Sequence, residues 1–158
     1  MRRLAALVGC ASLCLALASQ AAAATTTSVS MSFTEQIVPN IKQGCPVLPD
    51  GLCGNGVVLP FGHVTETIQF GAGCGDGSCD LRTIYLPGGS IISNEQFAPG
   101  RCPGRCQPNR AEPAQGLLSD TIIGGTGAFT GATGSFSGTV FAAGPSSTLH
   151  FTGTITVP

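Results

Sequence analysis

The sequence predicts an all-β protein, a barrel or a sandwich of seven or eight strands. Segments in which apolar and polar residues alternate recur after residue 24, and none there shows a helical period. Charged residues make up only 9% of the chain, whereas it has 23 glycines and many threonines and serines. Such a composition is typical of strands joined by frequent turns.

Residues 1–24 are predicted to be a secretory signal peptide that is removed. Arg2 and Arg3 precede an apolar run over 4–18, and small residues occupy 21–24. The run is shorter than the roughly 20 residues of a spanning helix, so we expect no transmembrane segment in the mature chain. That chain, residues 25–158, is then one secreted or periplasmic domain. A lipid anchor on Cys10 is the disfavoured alternative, because the apolar stretch before it is short.

The charge balance is close to neutral. The whole chain has eight acidic and seven basic residues, and two of the basic ones belong to the predicted signal peptide. A mildly negative mature chain is a poor match for nucleic acid or an anionic membrane surface, so neither is expected as a partner.

Six cysteines follow the predicted signal peptide, and in an exported chain they predict disulfides. They fall into close neighbours that would staple loops: Cys45/Cys53, Cys74/Cys79 and Cys102/Cys106. Zinc bound by the last four is the alternative, which the spacing alone permits and the export signal disfavours. We therefore expect no metal.

Alternation predicts the strands of the N-terminal half. Segment 27–35 turns Val29, Met31 and Phe33 to one face, and 62–70 does the same with Val64, Ile68 and Phe70. Segment 37–56 is rich in Pro, Gly and Cys and is predicted to be a stapled loop. Segment 71–80 is predicted to be a Cys-bounded turn, and 81–86 and 90–97 a hairpin around Pro87-Gly88-Gly89.

The C-terminal half is interpreted in the same way. Segment 98–114, with four prolines and with Arg101, Arg105 and Arg110, is predicted to be a solvated, irregular loop. Segment 115–123 resumes strand character, and 147–157 closes the chain with Leu149, Phe151, Ile155 and Val157 on one face.

Glycines dominate 124–140. No lysine and no helix follow them, so a phosphate-binding loop is excluded and no cofactor is expected. Instead, 124–127 is predicted to be a tight turn with positive φ. Gly131, Gly134 and Gly138 are predicted to be bending points within the strand that follows.

The run "TIIGGTGAFTGATGSFSGTV", followed by "LHFTGTITV", resembles the C-terminal half of allene oxide cyclase/dirigent-like proteins, in particular exported bacterial members. The likeness covers about 40 residues well and the rest loosely. It implies an eight-stranded antiparallel barrel with an apolar interior, and it suggests a dimer or trimer. In the plant relatives that interior binds a hydrophobic small molecule. The cysteine-bearing loops depart from the pattern of those relatives.

Three polar residues are candidates for site chemistry. Glu66 shares the register of Val64 and Ile68 and is predicted to face the interior, with Arg82 on the next strand as its partner. The favoured interpretation is an ion pair or a local bulge that turns Glu66 outward, and the alternative is a polar anchor that orients or protonates a ligand in the lumen. Asp120, in register with Leu118 and Ile122, is expected to face inward near a strand end.

The remaining side chains that could take part in catalysis are not expected to do so. His63 and His150 are predicted to lie on outer faces, and Tyr85 is predicted to serve packing.

These residues form no recognisable catalytic constellation. We therefore expect either a barrel that binds a small hydrophobic ligand without catalysis or a structural module with a filled interior. The alternative is a dirigent-like or cyclase-like protein that steers a reactive intermediate.

Overall fold

The structure, a computed structural model, describes residues 23–37, 51–99, 114–143 and 145–158. They form eight strands: β1 Thr25–Ile37, β2 Gly51–Leu59, β3 Gly62–Gly73, β4 Cys79–Leu86, β5 Gly89–Pro99, β6 Ala114–Gly127, β7 Thr133–Ala143 and β8 Ser146–Val157. Each strand pairs antiparallel with the next, and β8 pairs with β1, so the sheet closes into a barrel. The predicted all-β barrel is confirmed. The predicted signal peptide cannot be compared, because residues 1–22 lie outside the described residues.

The apolar core fills much of the barrel interior. It is built from inward positions of the strands, which alternate with exposed Ser and Thr as predicted for β1 and β8. Phe129 and Ala132, in the turn between β6 and β7, are buried at one end. Phe61 meets Phe129 edge-on there, with ring centroids 5.6 Å apart. We call this the closed end, and we call the end with the β3–β4 turn the open end, because a cavity lies there among the described residues.

Strand β2 corrects the last part of the loop predicted over 37–56, since 51–56 are strand, whereas 38–50 lie outside the described residues. Its inward row contains Gly54, Gly56 and Val58, so the apolar alternation that marks a strand is missing from the sequence. The glycines are required because a Cβ on Gly56 would collide with the ring of Phe33 and with the Ser32 carbonyl. Two large inward side chains of the neighbouring strands occupy the space that β2 leaves empty.

The glycine-rich segment also differs from the prediction. Strand β6 continues to Gly127, so the turn covers 128–131, and of the four residues at 124–127 only Gly127 has a positive φ, 58°. Gly125 remains in the strand because Phe129 and the Ser90 carbonyl approach where its Cβ would be. Gly131 lies in the turn, with a φ of 75°, whereas Gly134 and Gly138 lie in β7 as predicted.

The β3–β4 turn is closed by a disulfide between Cys74 and Cys79. This confirms one predicted pair and rules out the four-thiolate zinc site, because two of its sulfurs are bonded to each other. Cys53 is also disulfide-bonded. Cys45, Cys102 and Cys106 lie outside the described residues, as do Arg101, Arg105 and Arg110.

The β4–β5 hairpin is confirmed, with Leu86 paired to Gly89 across a two-residue turn of Pro87 and Gly88. Proline followed by glycine at positive φ, 91° here, is the pattern of a type II turn. In the part of the chain that the structure describes, no helix has the length and apolar character needed to cross a membrane.

Candidate functional site

A cluster of charged side chains occupies the lumen towards the open end. Arg82, on β4, has 1% of its surface exposed and is surrounded by Glu35, Glu66, Glu95 and Asp120. These five residues come from β1, β3, β4, β5 and β6, and we call them the charged cluster. It places four carboxyl groups around one guanidinium in a nearly dry interior.

The contacts of Arg82 use all three guanidinium nitrogens. Nε donates to Glu95 Oε2 at 2.8 Å and lies 3.3 Å from Asp120 Oδ2. Nη1 donates to Glu35 Oε1 at 3.1 Å and to Glu66 Oε2, and Nη2 donates to Glu95 Oε2. The guanidinium carbon also lies 4.9 Å from the centroid of the Phe151 ring, a cation–π arrangement. These contacts hold the guanidinium in one position.

Two serines support the carboxyl groups from behind. Ser93 Oγ donates to Asp120 Oδ2 at 2.8 Å, and Ser147 Oγ donates to Glu35 Oε2 at 2.6 Å. Both serines are buried. A hydroxyl that donates to a carboxylate stabilises its ionised form, so the hydrogen bond from Ser93 opposes the rise that burial causes in the pKa of Asp120.

Strand pairing explains why two of the glutamates meet the same nitrogen. Gly54 of β2 pairs with Glu35 on one side and with Glu66 on the other. A Cβ on Gly54 would lie 2.7 Å from Glu66 Cγ, so only glycine leaves room for the glutamate side chain. The gap in β2 therefore lets two carboxyl groups, two strands apart, converge on Arg82 Nη1.

Burial controls the protonation of the cluster. Desolvation raises the pKa of Glu66 to about 8, because it outweighs the attraction of Arg82, and repulsion from Glu35 adds to the rise. Desolvation likewise raises the pKa of Glu95 to about 7 and raises the pKa of Asp120. The four carboxylates outweigh the desolvation of Arg82 and raise its pKa further above its usual value. At neutral pH the cluster therefore retains protons that exposed carboxyl groups would release.

Two carboxylate oxygens of the cluster have no hydrogen-bond partner among the described residues, namely Glu66 Oε1 and Asp120 Oδ1. Both residues are 1% exposed. An unpaired buried carboxylate oxygen is costly, and a proton or a bound donor removes that cost. The cluster thus has more acceptor oxygens than its own donors satisfy.

A cavity of about 250 Å³ borders the charged cluster at the open end. We call it the mouth cavity. Its polar lining consists of Glu35, Asp80, Glu95 and Ser147, and its apolar lining consists of Leu52, Phe70, Phe97, Leu118, Val140, Ala142 and Leu149. Apolar walls with a few convergent polar groups are typical of small-molecule sites.

The three predicted candidates converge, as the contacts above describe. Glu66 and Asp120 face inward, and Arg82 binds Glu66 directly and lies beside Asp120. Asp120, however, lies in the middle of β6 and not near a strand end, because that strand begins and ends further out than its alternation indicates. His63 and His150 are on the outer surface as predicted. Tyr85 is also 40% exposed, so the expectation that it serves packing is not supported.

Sequence reasoning missed Glu35 and Glu95. Glu35 continues the inward series of Met31 and Phe33, and Glu95 continues that of Ile91 and Ser93. The same period of two that selected Glu66 would have selected both. Each lies close to the end of its predicted strand, where few residues remain to show the alternation.

Phe70 was predicted to share the buried face of Ile68, but it is 45% exposed at the open end. The pairing of β3 with β4 shifts register between Gln69 and Gly73, so the alternation does not continue through Phe70. Its ring contributes to the mouth cavity and not to the core.

Comparisons of the chain with protein-family models, with curated proteins and with solved structures found no match. The resemblance of the glycine-rich run to allene oxide cyclase/dirigent-like proteins therefore stays a prediction.

Proposed function

We propose that the mature chain is an exported β-barrel that binds a small, largely hydrophobic molecule in the mouth cavity. The observation that carries the proposal is the cavity itself, a concave space with seven apolar lining residues at the end of a lumen whose described inward residues form an apolar core. The resemblance to barrels that hold hydrophobic molecules agrees with it.

The size of the cavity limits the ligand. Its volume is about 250 Å³. This is smaller than a drug-sized ligand site. A six-carbon chain with one polar end is a suitable test ligand.

Calorimetry with 1-hexanol tests the proposal. Val140→Trp should fill the cavity and weaken hexanol binding by about tenfold or more, because Val140 lines the cavity and is partly buried. Thr139→Trp is the matched control, since Thr139 precedes it on β7 and is exposed on the outer face. Equal losses in the two variants, or a failure of the unaltered protein to bind hexanol and its charged six-carbon analogues alike, would contradict the proposal.

A second candidate function is that of a dirigent-like or cyclase-like protein. Glu95 lines the mouth cavity, and its pKa of about 7 suits a group that gives and takes protons near neutrality. Phenoxy radicals generated by a separate oxidant would be allowed to couple with and without the protein. An enantiomeric excess that the protein imposes, and that Glu95→Gln lowers, supports this function. A racemic product in the presence of the unaltered protein opposes it.

A further inference from the structure

The charges around the mouth cavity are unequally distributed. Glu35, Asp80 and Glu95 all line it, whereas Arg82, the one cation among the described residues of the lumen, lies beneath Glu35 and Glu95 and does not line it. A molecule in the cavity therefore meets carboxyl groups and no positive charge from the described residues. This electrostatic environment favours a positive ligand and disfavours a negative one.

Among the described residues, the cluster below the cavity also has fewer positive than negative groups. Four carboxyl groups share one guanidinium, and Glu66 Oε1 and Asp120 Oδ1 are buried without a hydrogen-bond partner among the described residues. Excess negative charge in a desolvated site must be neutralised by protons or by a bound cation. Either can do so, so the two compete.

We propose that the mouth cavity selects an amphipathic organic cation, a primary amine with a short apolar tail, and that the amine binds in exchange for a proton of the charged cluster. This rests on the proposed function, because it assigns the ligand class of the same cavity. The tail lies against the apolar walls that include Phe70, Leu118 and Val140. The ammonium donates to Glu95 and Glu35 from the side opposite Arg82.

The exchange conserves charge, because one proton leaves the charged cluster for each ammonium group that binds. The carboxyl group that receives the ammonium releases its proton to the buffer, and no covalent bond forms. The titratable groups that face Glu95 are Arg82 of β4, Asp120 of β6, Glu35 of β1 and Glu66 of β3, with Asp80 at the rim. Because desolvation by burial raises the pKa of Glu95 to about 7, the affinity for an amine rises by roughly tenfold per pH unit below that value and levels off above it.

The test compares three ligands of equal chain length, hexylamine, 1-hexanol and hexanoate, by isothermal titration calorimetry of the intact protein. An alkylamine stays protonated across pH 5.5–8.5, as a lysine does. We expect hexylamine to bind about tenfold or more tighter than hexanol at pH 8, and hexanoate to bind most weakly. At pH 6, where Glu95 is still largely protonated, the heat of hexylamine binding should change with the ionisation enthalpy of the buffer, which reports proton release, and that of hexanol should not.

Substitutions test which side chain causes the preference for hexylamine over hexanol. Glu95→Gln should lower the ratio of hexylamine to hexanol affinity, whereas Asp76→Asn should leave that ratio unchanged, because Asp76 is an exposed acid in the β3–β4 turn outside the cavity lining. Circular dichroism checks that each variant is folded. If Glu95→Gln does not fold, the pH dependence and proton release of the unaltered protein still decide the matter.

The outcomes separate the two proposals. If hexanol or hexanoate binds as tightly as hexylamine, the proposed selection of a cation is overturned and the proposed function stands. If hexylamine binds tighter but neither releases protons nor gains affinity with pH, the exchange is overturned. If none of the three ligands binds, the proposed function fails as well.

Discussion

Arg82 provides the positive charge that balances the buried carboxyl groups of the lumen. Its guanidinium contacts carboxyl groups from four other strands and lies against the ring of Phe151. A buried ion pair contributes little net stability compared with apolar packing, but removing one partner leaves uncompensated charge and is costly. Here removing one cation would leave four carboxyl groups without a counter-charge among the described residues of the lumen.

We expect Arg82→Met to lower the free energy of unfolding by about 3–5 kcal/mol at pH 8. The loss should be smaller at pH 5, because the carboxyl groups then take up protons in place of the lost cation. Urea unfolding followed by circular dichroism at the two pH values measures this. Arg82→Lys, which keeps the charge but not the fork of donors, should lie between Met and the unaltered protein. A loss under about 1 kcal/mol at pH 8 would show that the cluster does not need its cation.

Strand β2 shows what one element contributes to the site. Its inward glycines make it nearly unrecognisable as a strand, yet they provide the space that the neighbouring strands fill. Glycine in a strand interior usually weakens it, and it often marks a close approach of another group. In β2 the close approach is that of Glu66 towards Gly54.

We expect Gly54→Ala to destabilise the protein by ~1–3 kcal/mol, because the new Cβ collides with Glu66 and forces it away from Arg82. Thermal and urea unfolding measure the loss. Gly124→Ala on β6 is the matched control, since no atom lies within 4 Å of its added Cβ and its φ is not positive. That change should stay within about 0.5 kcal/mol. Equal effects of the two substitutions would contradict the close approach.

At the scale of the whole molecule, the closed end is apolar and the open end is charged. Barrel closure removes sheet edges and brings β1 beside β8. It also encloses more carboxyl groups than cations, so the folded state binds protons more tightly than the unfolded chain does. Stability is thereby linked to pH.

We expect the protein to become less stable as pH rises from about 4.5 to about 8. The pKa of Glu66 rises from 4.5 unfolded to about 8 folded, mainly through burial, so within that window the unfolded chain has released a proton that the folded chain retains. The free energy of unfolding then falls by up to ~1.4 kcal/mol per pH unit for such a group, and the fall ends above the folded value. Glu95, with a pKa raised to about 7, acts in the same direction.

Urea unfolding at a series of pH values between 4.5 and 9 measures this slope. Glu66→Gln carries no titrating proton at that position, so its stability should fall less steeply with pH than that of the unaltered protein. A free energy of unfolding that rises with pH across this window would contradict the linkage.

The sequence by itself determined the all-β class, the inward faces of most strands and the burial of Glu66, Arg82 and Asp120. Each follows from alternation with a period of two, a local property of an extended chain in a sheet with one buried face. The same local evidence failed where that pattern was masked by glycine in β2 or interrupted by the register shift after Gln69. It also placed the glycine turn too early, because close packing against Phe129 keeps Gly125 in the strand.

Only the tertiary structure decided that four carboxyl groups share one guanidinium beside a cavity. Arg82 and Glu35 are 47 residues apart and lie on β4 and β1, which are not neighbours in the sheet. Alternation states which face a side chain takes, but closure and register decide which side chains meet across the lumen. Burial of these side chains lowers the local dielectric, and the distances between them set how strongly their charges interact. Together the two determine the protonation of the site, and a pattern along one strand contains no information on either.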